Sequence, residues 1–165
     1  MAYTTIPKST VQFAPEIYTG NGSSKTISTL NFQPDWVWIK NRATTDMNVL
    51  FDSLRGATKR IASDSTAAEA TEAQDLTAFN TNGFTVSTSG AVNSNSVSYA
   101  SWNWKGGTTS GIATNGDTDI TPSSYSFNQT SGFSIIRYTG IGGQPIQIPH
   151  GLGVQPKMFI IKRLN

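Results

Sequence analysis

No cysteine occurs among the 165 residues, so the chain can hold neither a disulfide framework nor a thiolate metal site. That suits assembly in a reducing cytosol without requiring it. Charge is scarce too: Asp, Glu, Lys and Arg make up 13% of the chain, about half the usual share. The net charge is +2, and the tightest basic groups, Lys59-Arg60 and Lys162-Arg163, are too sparse to track a phosphate backbone. Nucleic acid is therefore not an expected partner. No apolar run approaches the ~20 residues of a membrane span, and the opening MAYTTIPKST has no hydrophobic signal core. Neither membrane insertion nor general secretory export is expected. Histidine occurs once, as His150 between Pro149 and Gly151. With no serine-elbow motif and no spaced ligand partners, it reads as a turn residue, not part of a triad or metal site.

What the chain has instead is hydroxyl, glycine and aromatic ring: 19 Ser, 22 Thr, 15 Gly, four Trp, five Tyr and eight Phe. Disordered chains lack such large apolar groups to offset ordering entropy. The composition points to an all-β protein with polar turns. Residues 1–12, interrupted by Pro7, read as an N-terminal arm. From Phe13 short apolar or alternating runs are separated by turn clusters. Glu16–Thr19 and Lys25–Leu30 flank Gly20-Asn21-Gly22 as a hairpin, and Asn82-Gly83 between Leu76–Phe79 and Phe84–Ser87 signals another. Trp36–Ile39 is apolar on both faces and predicts a central strand. Asn48–Asp52 and Arg55–Ala62 flank a turn at Ser53-Leu54, and Gly90–Asn95 is a turn region. In Val97–Trp104, Ala100, Trp102 and Trp104 share one face, and the aromatic payload predicts that face to be the buried one. The alanine-rich Thr66–Gln74, after Asp64 and Ser65, predicts one or two helical turns. Residues 106–130 form a Gly/Ser/Thr-rich linker with room for one short strand. The fold expected is an antiparallel β-sandwich of seven or eight strands over residues 13–105.

Beyond the linker the sequence repeats itself. Tyr18-Thr19-Gly20 matches Tyr138-Thr139-Gly140 at an offset of 120, and Leu30, Phe32, Gln33, Pro34 and Lys40 match Leu152, Val154, Gln155, Pro156 and Lys162 at an offset of 122. The apolar blocks Trp36–Ile39 and Met158–Ile161 fall in step. Shared order, spacing and chemistry indicate a duplication. Residues 131–165 then hold the start of a second module, about a third of one, which cannot bury a core alone. The reading favoured is a piece of a longer product, with strand completion between subunits as the other route.

The blocks MAYTTI, YTGNG, PDWVWIKNR, LFDSLRGATKR, LTAFNTNGF and SYASWNWK resemble the repeated module of phage structural proteins, common in cyanophages and pelagiphages and assigned to tail fibres or other virion appendages. GFSIIRYTG and PHGLGVQPKMFIIKR resemble the start of the next repeat. The resemblance implies tandem β-modules, a virion location after assembly in the host cytoplasm, other tail or capsid proteins as partners, and a homo-oligomer, a trimer by analogy with fibre proteins. Where that family often carries histidines before its Phe-Asp-Ser block, this chain has Asp46-Met47-Asn48, so no metal site is implied there.

Candidate chemistry is thin. Asp35, Asp52, Asp64, Glu69, Glu72 and Asp75 show no spacing that sets two carboxylates across a substrate, so no catalytic residue is assigned and no cofactor or metal is expected. Gly20–Gly22 and Gly140–Gly143 lead into no helix and are hairpin turns, not phosphate loops. Asp52 and Arg55 would pair across their turn, or Arg55 would reach a neighbouring subunit. Trp36, Trp38, Trp102 and Trp104 could in principle stack on sugars, but core packing is the favoured reading. A host glycan would then meet loop residues such as Asn21, Asn82 or Asn93. The leading expectation is a non-enzymatic virion appendage protein whose N-terminal region docks to the particle. A carbohydrate-binding module and a capsid-decoration protein are the alternatives.

Overall fold

The computed structural model describes residues 9–165, so the arm expected over residues 1–12 lies mostly outside them. Its last residues make a 3-10 turn, Ser9–Val11. Gln12 is tied down at both ends: its carbonyl accepts from the Lys105 N–H at 2.8 Å, and its side-chain oxygen from Asn128 at 2.5 Å.

The fold is all-β and its strand pairs are antiparallel, as composition and turn spacing predict. One sheet has six strands in the order β1 (Phe13–Thr19), β9 (Ser98–Trp104), β3 (Trp36–Asn41), β4 (Val49–Asp52), β5 (Lys59–Ala62) and β6 (Ala70–Thr71). Against it lies a three-stranded sheet of β2 (Lys25–Ile27), β8 (Gly83–Val86) and β7 (Leu76–Asn80). The core between them holds Tyr18, Ile27, Phe32, Val37, Ile39, Val49, Phe51, Leu76, Phe84, Val86 and Tyr99. The central strand predicted at Trp36–Ile39 is β3, paired on both sides. The second predicted hairpin is β7–β8, its register Asn80 opposite Gly83 leaving Thr81 and Asn82 as the turn.

Three expectations are corrected. First, β1 and β2 do not form a hairpin: β1 pairs with β9 and β2 with β8, in different sheets. The Gly20–Ser24 segment is a crossover, not a tight turn. Its amides bind the loop before β9, Gly20 N–H to Val97 O at 2.7 Å and Gly22 N–H to Asn93 O at 2.9 Å. Secondly, Thr66–Gln74 forms no helix: it holds the short strand Ala70–Thr71 and ends in a turn, with Lys59 paired to Thr71, Arg60 to Ala70, and Glu72 N–H donating to Thr58 O. On either side of β6, Glu69 pairs with Arg55 and Glu72 with Arg60, which holds the segment against β5, while the alanines have no apolar bulk to anchor a helix. Among the described residues the one α-turn, α1, lies instead at Gly90–Asn93, capped by the Ser89 side chain.

Thirdly, the tryptophans do not point into the core. Along β9 the buried face is Tyr99, Ser101 and Asn103, and the face of Ala100, Trp102 and Trp104 is half-buried. Along β3 the buried face is Val37, Ile39 and Asn41, leaving Trp36 and Trp38 half-buried on the far side. Polar Asn103 goes inward with its NH2 group satisfied, donating to Ala14 O at 2.9 Å and Ser101 Oγ at 3.0 Å, while its Oδ1 is buried without a partner among the described residues.

Residues 106–130 carry more structure than a linker needs. They contain β10 (Ser124–Asn128), which pairs with β11 (Phe133–Arg137). Gly106 N–H donates to Asp35 at 2.8 Å, binding this segment to the module, and Gly107 N–H donates to Ser126 Oγ at 2.8 Å within the segment. Ile120 and Phe127 are buried with Leu152 of the segment that follows. After β11 no strand forms among the described residues. Met158, Phe159, Ile160 and Ile161 are 72%, 78%, 48% and 70% exposed.

Candidate functional site

The four candidate contact residues do not form one site. Asn93 is fully buried, so it meets no external ligand. Its side-chain Oδ1 accepts from Asn21 N–H at 3.0 Å, and its NH2 group shares its two hydrogens among Asn21 Oδ1 at 3.0 Å, Ser87 O at 2.7 Å and Ser23 O. Asn93 is thus the post around which the crossover wraps. Asn21 is exposed, but its side chain accepts from Ser23 N–H to shape the same loop. Asn82 lies at the β7–β8 turn, where its amide holds Ser28 O at 3.1 Å.

Arg55 is the other correction: its side chain is 6% exposed, so it cannot reach a neighbouring subunit. The Asp52–Arg55 pairing read from the sequence is present, Nε to Oδ2 at 2.5 Å, and Asp52 is 3% exposed. The guanidinium also donates to Lys59 O, Glu69 Oε2 and Leu50 O at 3.0, 3.2 and 3.3 Å. A second cluster joins Arg60 to Glu72 at 3.0 Å and to Asp75 at 3.1 Å. These two arginines hold four of the six carboxylates weighed for catalysis. Asp35 is spent on Ser53 and Gly106, and Asp64 on Asn48. Slight desolvation raises the Asp64 pKa, but the Asn48 side-chain and backbone donors outweigh it and hold the carboxyl below its ordinary range.

Asp75 is fully buried and its Oδ1 has no hydrogen-bond partner. Burial pushes its pKa above the ordinary carboxylate range, although Arg60 beside it acts in the opposite direction. Between the unfolded and the raised folded pKa the native state binds more protons than the unfolded chain. This group's contribution to stability therefore falls as pH rises through that window. Urea midpoints measured from pH 4 to 7 should show this component in the wild type and lack it in Asp75→Asn. A slope unchanged in Asp75→Asn would refute the assignment.

Two surface features remain. The outer face of the six-stranded sheet carries rows of facing residues: Phe13, Trp104 and Trp36; Pro15, Trp102 and Trp38; Ile17, Ala100 and Lys40. Trp38 and Trp102 meet edge to face, centroids 6.0 Å apart at 67°. Trp38 Nε1 donates to Asn48 Oδ1 at 3.0 Å, which fixes the indole. Trp104 lies between Phe13 at 4.8 Å and Phe133 of β11 at 5.9 Å. Strand alternation identified the shared face but not which way it points. The cue for the outward direction lies in β1, where Phe13, Pro15 and Ile17 continue the face to an open sheet edge.

The second feature is a cleft of about 560 Å³ between the 111–118 and 147–155 loops. It is lined by the amides of Asn115, Gln129, Gln147 and Gln155 and by the His150 ring, with no Asp, Glu, Lys or Arg in its wall. His150 Nδ1 accepts from Leu152 N–H at 3.2 Å, which fixes the orientation of the ring. Among the described residues no cluster of three or more His, Asp or Glu could hold a metal ion, and no helix is long and apolar enough to cross a membrane. Compared with known families, residues 8–165 match the family described as a domain of unknown function, DUF7483. Neither the curated proteins nor the solved structures give a match.

Proposed function

We propose that this chain, which belongs to the DUF7483 family over residues 8–165, is a non-enzymatic structural protein of a bacteriophage virion, a tail fibre or other appendage built from tandem β-modules. The observation that carries this reading is the contrast between equivalent parts of the two sequence copies. Trp36–Ile39 is the central part of β3, paired with β9 and β4; Met158–Ile161, its counterpart, is in no strand and is largely exposed. Gly20 shows the same contrast: a Cβ there would lie 2.1 Å from the Ser94 carbonyl oxygen, whereas one on Gly140 would meet nothing within 4 Å. Within residues 9–165 the segment that resembles the first module in sequence is not enclosed as the first is. A role as one link in a serial array suits such a chain better than a role as a free-standing enzyme or receptor. The six weighed carboxylates support the non-enzymatic reading, since each is engaged in an ion pair or hydrogen bond of the scaffold.

Mass spectrometry of purified virions from the source tests the proposal. Peptides of this chain at a fixed copy number per particle are the expected result, and their absence from particles would refute it. The uncharged cleft around His150 favours a second reading, a module that binds a neutral host saccharide through amide side chains. Glycan-array binding that is lost in Gln147→Ala would move this reading ahead of the first.

A further inference from the structure

We infer that the tryptophan-bearing outer face of the six-stranded sheet is a self-association surface, which packs against the same face of a second copy of this chain. Single exposed apolar residues are ordinary, but contiguous ones mark an interface. Here the exposed Pro15 and the half-buried Phe13, Trp36, Trp38, Trp102 and Trp104 occupy adjoining positions in register on three neighbouring strands. At the edge Ile17 continues them at 66% exposure.

The geometry distinguishes a protein partner from a sugar. A pyranose needs a ring lying flat with hydrogen-bonding groups beside it. Trp38 and Trp102 instead meet edge to face, Phe13 and Trp104 are inclined at 46°, and Trp38 has already spent its N–H on Asn48. The neighbours Pro15, Ile17 and Ala100 offer no side-chain hydrogen bond. Such a ridged apolar surface interdigitates with another like it.

Two observations favour a second copy over an unrelated protein. Charge does not oppose self-pairing: the cation in the central rows, Lys40, donates to Thr44 O and Asp46 O at the sheet margin, and Asp52 at the end of the Trp36 row is paired with Arg55. The face is also continuous with a contact already made, since Phe133 stacks on Trp104 at 19°. Phe133 is the 120-residue counterpart of Phe13, so residues of one sequence copy already pack on the tryptophan face of the other. Two-fold pairing makes each face both donor and recipient. The pairing rests on this face alone and holds wherever the protein is assembled.

Light scattering on the full chain tests it. At roughly 100 µM, where a micromolar dissociation constant populates the complex, the expected mass is twice the 17.7 kDa of one chain. Ile17→Glu should weaken association at least about tenfold, because a charge enters the apolar face while the exposed position spares the fold. Ile141→Glu, equally exposed in a distant loop, should leave association unchanged. A wild-type mass of one chain, a mass of three chains, or an Ile17→Glu chain that pairs like the wild type would each overturn the inference. A monomer whose tryptophan emission shifts saturably with glucose, galactose or N-acetylglucosamine would assign the face to a saccharide and overturn it as well.

Discussion

Gly20→Ala should lower the unfolding free energy by about 3 kcal/mol or more, while Gly140→Ala should change it by less than about 0.5 kcal/mol. The two glycines end the same Tyr-Thr-Gly motif, so their difference is one of surroundings alone. At Gly20 an added methyl would lie 2.1 Å from Ser94 O and 2.9 Å from the Asn93 carbonyl carbon, both backbone atoms that no rotamer change can move aside. The chain there is clamped from both directions, Gly20 N–H to Val97 O at 2.7 Å and Ser96 N–H to Gly20 O at 2.9 Å. At Gly140 the added carbon meets open space, and the lower entropy of the unfolded chain would act in favour of folding. Urea melts of both variants give the comparison. Equal losses at the two sites would contradict the unequal enclosure of the two glycines.

Arg55→Ala carries the other large effect, a loss of about 3–5 kcal/mol, because it strands buried carboxylate charge. Read from the sequence, the Asp52–Arg55 pair was an exposed contact of ~0–1 kcal/mol. Burial reverses that estimate, since both side chains are nearly inaccessible and the guanidinium also satisfies two backbone carbonyls. Arg55→Lys should recover little, because an ammonium cannot reach Asp52, Glu69, Lys59 O and Leu50 O from one position. Midpoints of thermal unfolding for the three proteins test this. A lysine variant close to the wild type would mean that charge alone, and not the planar fork, holds the turn.

Local signals in the sequence were reliable where chemistry close in the chain decides the structure. The apolar Trp36–Ile39 run became the doubly paired β3, and the Asn82-Gly83 turn joined β7 to β8. The Asp52–Arg55 pair likewise lies within one turn. Choices made by distant partners were not legible. Whether Thr19 turns back on itself depends on Asn93, more than 70 positions away. Glu69 and Glu72 hold their segment against β5 because Arg55 and Arg60 wait across the gap. The face of β9 that turns inward was misread for a related reason. Side-chain size argues for burying tryptophan, yet the interior offered Asn103 a carbonyl partner while leaving the indoles the outer face. Of the four candidate contact residues, Asn93 and Arg55 became scaffold because loop asparagines and turn arginines look alike in sequence whether they serve a ligand or the fold.

The way Phe13 and Phe133 flank Trp104 also determines how the protein would carry a mechanical load. Gln12 and Ser131 both bond to Lys105, the first through its carbonyl to the Lys105 amide, the second through its hydroxyl to the Lys105 carbonyl. Asn128 braces the pair by its contact with Gln12. Tension entering before β1 and leaving after β10 therefore crosses a bridge of a few hydrogen bonds and one indole, and bypasses the sandwich between them. While that bridge holds, a pull along the chain leaves the module slack. Once it parts, the whole sandwich becomes available as extensible length, so the junction acts as a fuse in parallel with a stored reserve.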